Sequence, residues 1–372
     1  MHIMHVIDSL HKGGAERMLV DIANQTVAAG ERASVVITRQ GADLAGELAA
    51  DIQITCLDRQ QRFDRRANRQ FAVLLHEQRP DVLHAHGRST FAYLALLKTL
   101  RQIRVPILLH DHYGKIEMDA SVPAWFRWWG RHLISQYVGV CAALGDWARS
   151  AGVASEKVAV IGNAINLNRV REATGSDLCK ELGLPEAGKV GLVVAGIRPE
   201  KGIEPLLEAA AQARKQQPFC LIVAGGNRDE EYGRACRARR DALGLKDIVV
   251  FAGERADVPR LIRGVDFAVM PSLSESGPLV LIEFMAGGLP FVATLVGEIS
   301  RQVARRSLPE FVAPGDVPAL AEALARLLAL APNDWQERGE RGKVIAREFF
   351  DIQTVWPQWR QVYQRMLGAA TA

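Results

Sequence analysis

Two glutamates eight positions apart, Glu275 and Glu283, carry the most specific chemical signal in this 372-residue chain. They fall in PSLSESGPLVLIEFMAGGLPFVAT, where Glu275 sits in a strand-to-helix loop, Ser276, Gly277 and Leu279 open the next helix, and Glu283 lies about one turn inside it. A loop carboxylate beside backbone N–H groups at a helix start can hold vicinal hydroxyls and a phosphate side by side, while the second carboxylate accepts from another diol. Upstream, GIRPEKG (Gly196 to Gly202) follows an apolar run and leads into a helix near Ile203. Lys201 there is a point charge for a phosphate and Arg198 a bidentate fork, the plain alternative being a solvated helix start. Near the start, Gly13-Gly14-Ala15-Glu16 follows the first apolar run, where adjacent glycines let the backbone approach an oxyanion closely or simply punctuate the chain. Neither GxGxxG nor GxxxxGK[ST] occurs, which removes the main support for a dinucleotide or Walker-type reading.

Two His-x-His pairs also follow apolar runs: His84-Ala85-His86 and His110-Asp111-His112. Alternation in an extended chain points both imidazoles of a pair to one side, which suits catalysis, a backbone-bonded structural role, or a metal. No carboxylate or cysteine cluster completes a ligand set, so no metal site is expected. Taken together, the loop glutamates, the basic turn and the Gly-Gly-Leu-Pro turn that follows favour a site for a nucleotide sugar.

Such residues need a frame that delivers them to one edge. Short apolar runs alternate with segments of helical periodicity throughout, the pattern of parallel strands joined by crossover helices. Strands are expected at His2–Ile7, Ser34–Thr38, Ile52–Leu57, Val82–His84, Ile107–His110 and Tyr137–Val140. A second group is expected at Val158–Ile161, Val190–Ala195, Cys220–Ala224, Ile248–Ala252, Phe267–Met270 and Phe291–Ala293. Helices between them carry apolar faces such as Val317, Leu320, Leu324, Leu327 and Leu328, and an aromatic tail (Phe349, Phe350, Trp356, Trp359, Tyr363) suggests a final helix. In open parallel sheets ligands gather beyond the carboxyl ends of the strands, where all these candidate residues fall.

Composition agrees with two globular domains: 48% hydrophobic and 24% charged residues exclude a disordered chain, and the longest uncharged stretches are too short for a spanning helix. The start carries no signal-peptide pattern, so a cytoplasmic location is expected. Five scattered cysteines without a CxxC read as buried structural thiols. Residues 1–175 hold 21 Lys/Arg against 17 Asp/Glu and all nine histidines, leaving 25 against 25 in the remainder, so the net charge of +4 belongs to the first part. Within it, Arg59, Arg62, Arg65, Arg66 and Arg69 recur at helical spacing as one basic stripe, and Trp125, Phe126, Trp128 and Trp129 interleave with Arg127 and Arg131. Basic stripes beside aromatic amphipathic segments suit an anionic membrane surface, the alternatives being a solvated face and interior packing. Nucleic acid is a poor partner for so small a charge excess.

From Gly13-Gly14-Ala15-Glu16 through HAH, HDH, RPEKG and the Glu275/Glu283 pair to the aromatic tail, the chain resembles the retaining glycosyltransferases of family 4. The resemblance implies an α/β GT-B fold, two Rossmann-like doubly wound domains facing a central cleft, with a C-terminal helix crossing between them. It implies an acceptor-binding domain at 1–168, joined by helix 353–372, and a donor domain at 169–352. The donor is a nucleotide diphosphate sugar of the UDP or GDP type as co-substrate, with no cofactor and no metal required. With the basic and aromatic segments, the expected acceptor is a hydroxyl of a lipid-linked or polysaccharide precursor, reached with peripheral contact at the inner membrane face.

By the same resemblance Glu275 contacts sugar hydroxyls, Glu283 the ribose diol, and Lys201 the diphosphate, helped by N–H groups after Gly277 and at Gly13–Gly14. His112 is the histidine near the donor sugar, with His110 behind it and His84, His86 and Asp111 at the acceptor side. The loop Gly253-Glu254-Arg255 meets the base. Gly196 stands where the family commonly has a diphosphate arginine, so Arg198 is the candidate replacement. Ser276-Gly277 replaces the common Gly-Phe, while Glu298 and Arg301 depart from a usual glycine and a usual acid. A GT-B-type epimerase and a sugar-nucleotide-binding protein without turnover are the competing readings.

Overall fold

A computed structural model describes residues 1–114, 116, 118–175, 177–185, 188–306 and 311–368. The chain divides into two compact units, one formed by Met1–Ile165 with the segment from Ile352 onward, the other by Asn166–Asp351.

In the first unit seven strands, β1 (His2–Ile7), β2 (Arg32–Ile37), β3 (Gln53–Cys56), β4 (Val82–His86), β5 (Ile107–Asp111), β6 (Ile134–Gly139) and β7 (Val158–Val160), form a sheet ordered β3-β2-β1-β4-β5-β6-β7. Every pairing is parallel. Val158–Ile161, grouped above with the later strands, is therefore the last strand of the first sheet, bonded to β6. The second unit holds β8 (Lys189–Val194), β9 (Phe219–Ala224), β10 (Val249–Gly253), β11 (Phe267–Met270), β12 (Phe291–Thr294) and β13 (Phe311–Val312), ordered β10-β9-β8-β11-β12-β13 and again parallel. β13 has no counterpart among the expected strands, since two residues carry no periodicity.

Side-chain alternation decides what each face of the first sheet buries. Met4, Val6, Leu83, Ala85 and Leu109 join Phe71, Phe91 and Tyr137 in one apolar core. The residues between them, His5, His84, His86 and His110, point the other way, where Trp359 and Tyr363 of the terminal helix Ile352–Gly368 meet their rings. The helix thus covers a polar strip of sheet that an aliphatic core could not satisfy; residues 369–372 of the expected tail lie outside the described set. Several helices begin at a side-chain cap, as where Asp64 accepts from Ala67 N–H at 3.1 Å before Arg65–Gln78. No described helix is long and apolar enough to cross a membrane.

Two further expectations change. Arg59 is not on a basic stripe: it lies before the helix, is buried, ion-pairs with Asp8 at 3.2 Å and stacks over Tyr93 at 4.4 Å. Arg62 also precedes the helix, so its basic face begins at Arg65 and continues through Arg66 and Arg69. The cysteines are all unbridged, but Cys56 is exposed and Cys179 partly so, because the edge strand β3 and a short surface helix leave them open.

Candidate active site

In the second unit two loops are zipped together at the carboxyl ends of neighbouring strands β8 and β11. The N–H of Leu273 donates to the Glu200 carbonyl at 2.8 Å. Gly202 takes a left-handed φ of +64°, and a Cβ there would lie 2.0 Å from the Pro271 carbonyl oxygen. This contact brings the Lys201 ammonium to 2.5 Å from the Glu275 carboxylate, which also accepts from Ser272 Oγ at 2.9 Å. Thr294 Oγ1 in turn fastens the Ser272 carbonyl at 2.5 Å.

The same loop is held from its other side. Gly297, at φ +73°, would place a Cβ 3.0 Å from the Ser276 carbonyl, and that carbonyl accepts from Glu298 N–H at 2.9 Å. Ser276 and Gly277 precede the helix, which begins one residue after Pro278 as Leu279–Gly287. Glu283 is almost fully enclosed within it and ion-pairs with Arg169, a residue without a motif of its own. Lys201, Ser272 and Glu275 are thus one constellation, with the start of the Leu279 helix on the same loop.

Gly202→Ala is expected to cost about 1–3 kcal/mol for the left-handed backbone alone, and the clash with Pro271 adds the separation of the two loops. Urea unfolding combined with nucleotide affinity checks this; native stability and affinity in the variant would refute the packing argument.

Other candidates have different surroundings. Arg198 is half exposed and, among the described residues, reaches Glu200 at 3.9 Å. Beside it, Arg228 runs past Gly196, whose Cβ would stand 2.9 Å from the Arg228 Cγ. A guanidinium from the loop after β9 thus lies alongside the position lacking one, 3.5 Å from Glu254; its place just after a strand was the available signal. Arg255 is turned to Asp257 at 2.7 Å and Glu181 at 2.9 Å. Hydrogen bonds to these partners raise its pKa, and hydrogen bonding by Arg255 holds Asp257 below the usual carboxylate range.

In the first unit Gly13 caps the helix Gly14–Ala28, with the Glu16 carboxylate folded over it. The His-x-His pairs do point to one side: the His84 and His86 rings stack 4.2 Å apart, and those of His110 and His112 lie at 3.8 Å. The parallel register sets His5 against His84 and His86 against His110, so that His5 joins them, a residue the motif search missed. Burial lowers the pKa of His5 and His112 to about 3 and pushes those of His84, His86 and His110 well below 6.5, so all five imidazoles are neutral at pH 7. Asp111, between two of them, faces away, accepting from Tyr137 OH and from Arg88, each at 2.8 Å.

The comparisons agree with this architecture. Residues 12–169 match the family described as Glycosyltransferase Family 4, and residues 188–330 that described as Glycosyl transferases group 1, so the two together span most of the chain. A D-inositol 3-phosphate glycosyltransferase of Catenulispora acidiphila is 33% identical over 55% of this chain and 50% of its own. The chain spans about half the length, or less, of the first curated relatives it matches. An N-acetyl-alpha-D-glucosaminyl L-malate synthase of Bacillus anthracis is 23% identical over 80% of this chain and 77% of its own. Among solved structures, Anabaena HepE in complex with UDP and glucose superposes with a TM-score of 0.82 at 22% identity, covering 98% of this chain and 100% of its own. Two parallel-sheet Rossmann-like domains of this kind define the GT-B fold. The chain belongs to the family-4-like glycosyltransferases.

Proposed function

We propose that this chain transfers a sugar, with retention, from a nucleotide diphosphate sugar to a hydroxyl of a lipid-linked or polysaccharide-precursor acceptor. The pairing of Lys201 with Glu275 on two zipped loops carries the reading. The relatives, an inositol phosphate glycosyltransferase and a glucosaminyl malate synthase, are in keeping with sugar transfer to a hydroxyl. The UDP and UDP-glucose of the HepE structures favour a uridine donor.

Donor binding exchanges the Lys201–Glu275 ion pair for two better-matched contacts, ammonium to diphosphate and carboxylate to sugar hydroxyls. The acceptor oxygen then attacks the anomeric carbon from the face the diphosphate leaves, and its proton passes to the departing phosphate oxygen. Negative charge grows on that oxygen, so Lys201, Arg198 and N–H groups of the Ser276–Leu279 turn supply the largest electrostatic contribution. His112, neutral, donates its ring N–H to a sugar hydroxyl, and no step calls on a metal.

A thermal-shift panel of UDP-, GDP-, ADP- and TDP-sugars tests the donor assignment. The matching donor at a hundredfold excess over Kd is expected to add ~2.7 kcal/mol of stability, and no shift with any of them would overturn it. Epimerisation or release from donor alone, without acceptor, would replace transfer by the epimerase reading.

Contact with an anionic membrane rests on the helix Ala124–Leu133, which buries Phe126 and Gly130 while Trp125, Arg127, Trp128 and Arg131 are exposed. Co-sedimentation with anionic vesicles is expected to exceed that with neutral ones and to fall with salt. Replacing Arg127 and Arg131 by alanine should weaken it by about 2 kcal/mol, at ~1 kcal/mol per basic residue. Equal, salt-insensitive recovery on both vesicle types would rule the contact out.

A further inference from the structure

Four buried imidazoles of the first unit and the partly exposed His112 contain more hydrogen-bonding capacity than their surroundings use. Among the described residues His5 Nε2, His84 Nε2, His86 Nδ1, both nitrogens of His110 and His112 Nε2 are buried without a hydrogen-bond partner. A buried polar atom left unpaired costs about 1–3 kcal/mol, so this many in one cluster calls for an explanation. Two overlapping triads, His5–His84–His86 and His86–His110–His112, each bring one ring nitrogen per residue within 4.8 Å of the others.

We propose that His86, His110 and His112 form a binding site for a zinc-class divalent transition-metal ion. These three residues carry four of the unpartnered nitrogens, and His112 is the least enclosed of the five histidines, which provides an entry path. The ligand set is all imidazole, which suits zinc, copper or nickel and not oxygen-preferring magnesium or calcium. Asp111, the nearest carboxylate in the chain, is committed to Arg88 and Tyr137.

A metal needs the neutral ring with its lone pair. His86 also has the outer partner that metal-bound histidines use. Its Nε2 lies 3.0 Å from His5 Nδ1, and donation of that N–H leaves the Nδ1 lone pair for the ion. The rival triad, His5–His84–His86, is buried throughout and lacks the opening that His112 gives. Zinc–nitrogen bonds of about 2.0–2.1 Å require ring nitrogens roughly 3.3 Å apart, so side-chain rotation closes the site. Three protein ligands leave a fourth position open. The sequence pattern lacked a completing ligand because that ligand comes from the neighbouring strand, through the β4–β5 register, and not from nearby in the chain.

The test uses the full chain, stripped with chelator and equilibrated with Zn²⁺ or Mg²⁺ alone, with bound metal measured by mass spectrometry. One zinc and no magnesium per chain is expected, and X-ray absorption of the zinc-loaded wild type should show three imidazoles. His110→Asn is expected to weaken zinc binding by about a hundredfold or more, above the 10–100-fold that loss of an outer-shell partner costs. His84→Gln should retain binding within about tenfold, the low end of that range. Absence of stoichiometric zinc, fewer than three imidazoles, or loss in His84→Gln equal to that in His110→Asn would each overturn the assignment. The absorption result needs no variant, so it stands if His110→Asn does not fold, and no donor or acceptor enters either measurement.

Discussion

Lys201→Ala is expected to lower turnover about a hundredfold or more, the effect of removing one preorganised donor to a developing oxyanion, ~3 kcal/mol of barrier. Lys201 sits at the carboxyl-end loop of β8 and, in the resting arrangement, neutralises Glu275 at 2.5 Å. Its loss leaves a partly buried carboxylate with Ser272 as its remaining neutral donor. The variant therefore carries a folding cost as well as a catalytic one, and the two are separable. Both side chains of the pair are mostly buried, so the carboxylate left behind lowers stability. A native far-UV spectrum and a lowered urea midpoint, with kcat and kcat/KM falling together, is the expected result, because the charge that Lys201 meets is larger in the transition state than in the bound donor. Turnover within a few-fold of wild type would remove Lys201 from the diphosphate site. A rise in KM alone would reduce its role to ground-state binding.

This pair shows which parts of a site a sequence makes readable. Lys201 and Glu275 were legible because each stands in a local pattern, a basic turn and a strand-to-helix loop, although 74 positions separate them. Ser272 and Arg169 were not, since a serine in a loop and an arginine in a four-residue helix have no periodicity to betray the carboxylates they hold. Arg59 misled for the opposite reason. Its spacing to Arg62, Arg65, Arg66 and Arg69 fits a helix, but the helix begins only at its Asp64 cap, and Asp8 draws the guanidinium inward. The histidines lie between these cases. Alternation made each pair readable, whereas the meeting of pairs on adjacent strands depends on register, which in parallel sheets is set by crossover helices far apart in the chain.

Mild acid is expected to unfold the first unit while the second persists. His5, His84, His86, His110 and His112 all have pKa values lowered by burial, so the folded state holds them neutral while the unfolded chain protonates them below about pH 6.5. The unfolded state then binds more protons, and stability rises with pH. It is fully present above pH 6.5 and is lost as pH falls from there toward about 3, the value for His5 and His112. Each imidazole contributes up to ~1.4 kcal/mol per pH unit, so five approach ~7 kcal/mol per unit, comparable with a typical total of about 5–15 kcal/mol. The lowered carboxylates, Asp257 and Glu181 among them, lose their contribution only at lower pH, below the unfolded range of about 4. The second unit, residues 166–351, contains no histidine at all. Six of the seven tryptophans, all but Trp335, belong to the first unit, so indole fluorescence reports on it selectively. In chelator-treated protein the fluorescence transition should fall between pH 6 and 5, and far-UV ellipticity should keep a folded remainder to lower pH. One coincident transition below pH 4, or stability unchanged from pH 7 to 5, would mean that the histidine strip is solvated and not buried beneath the terminal helix.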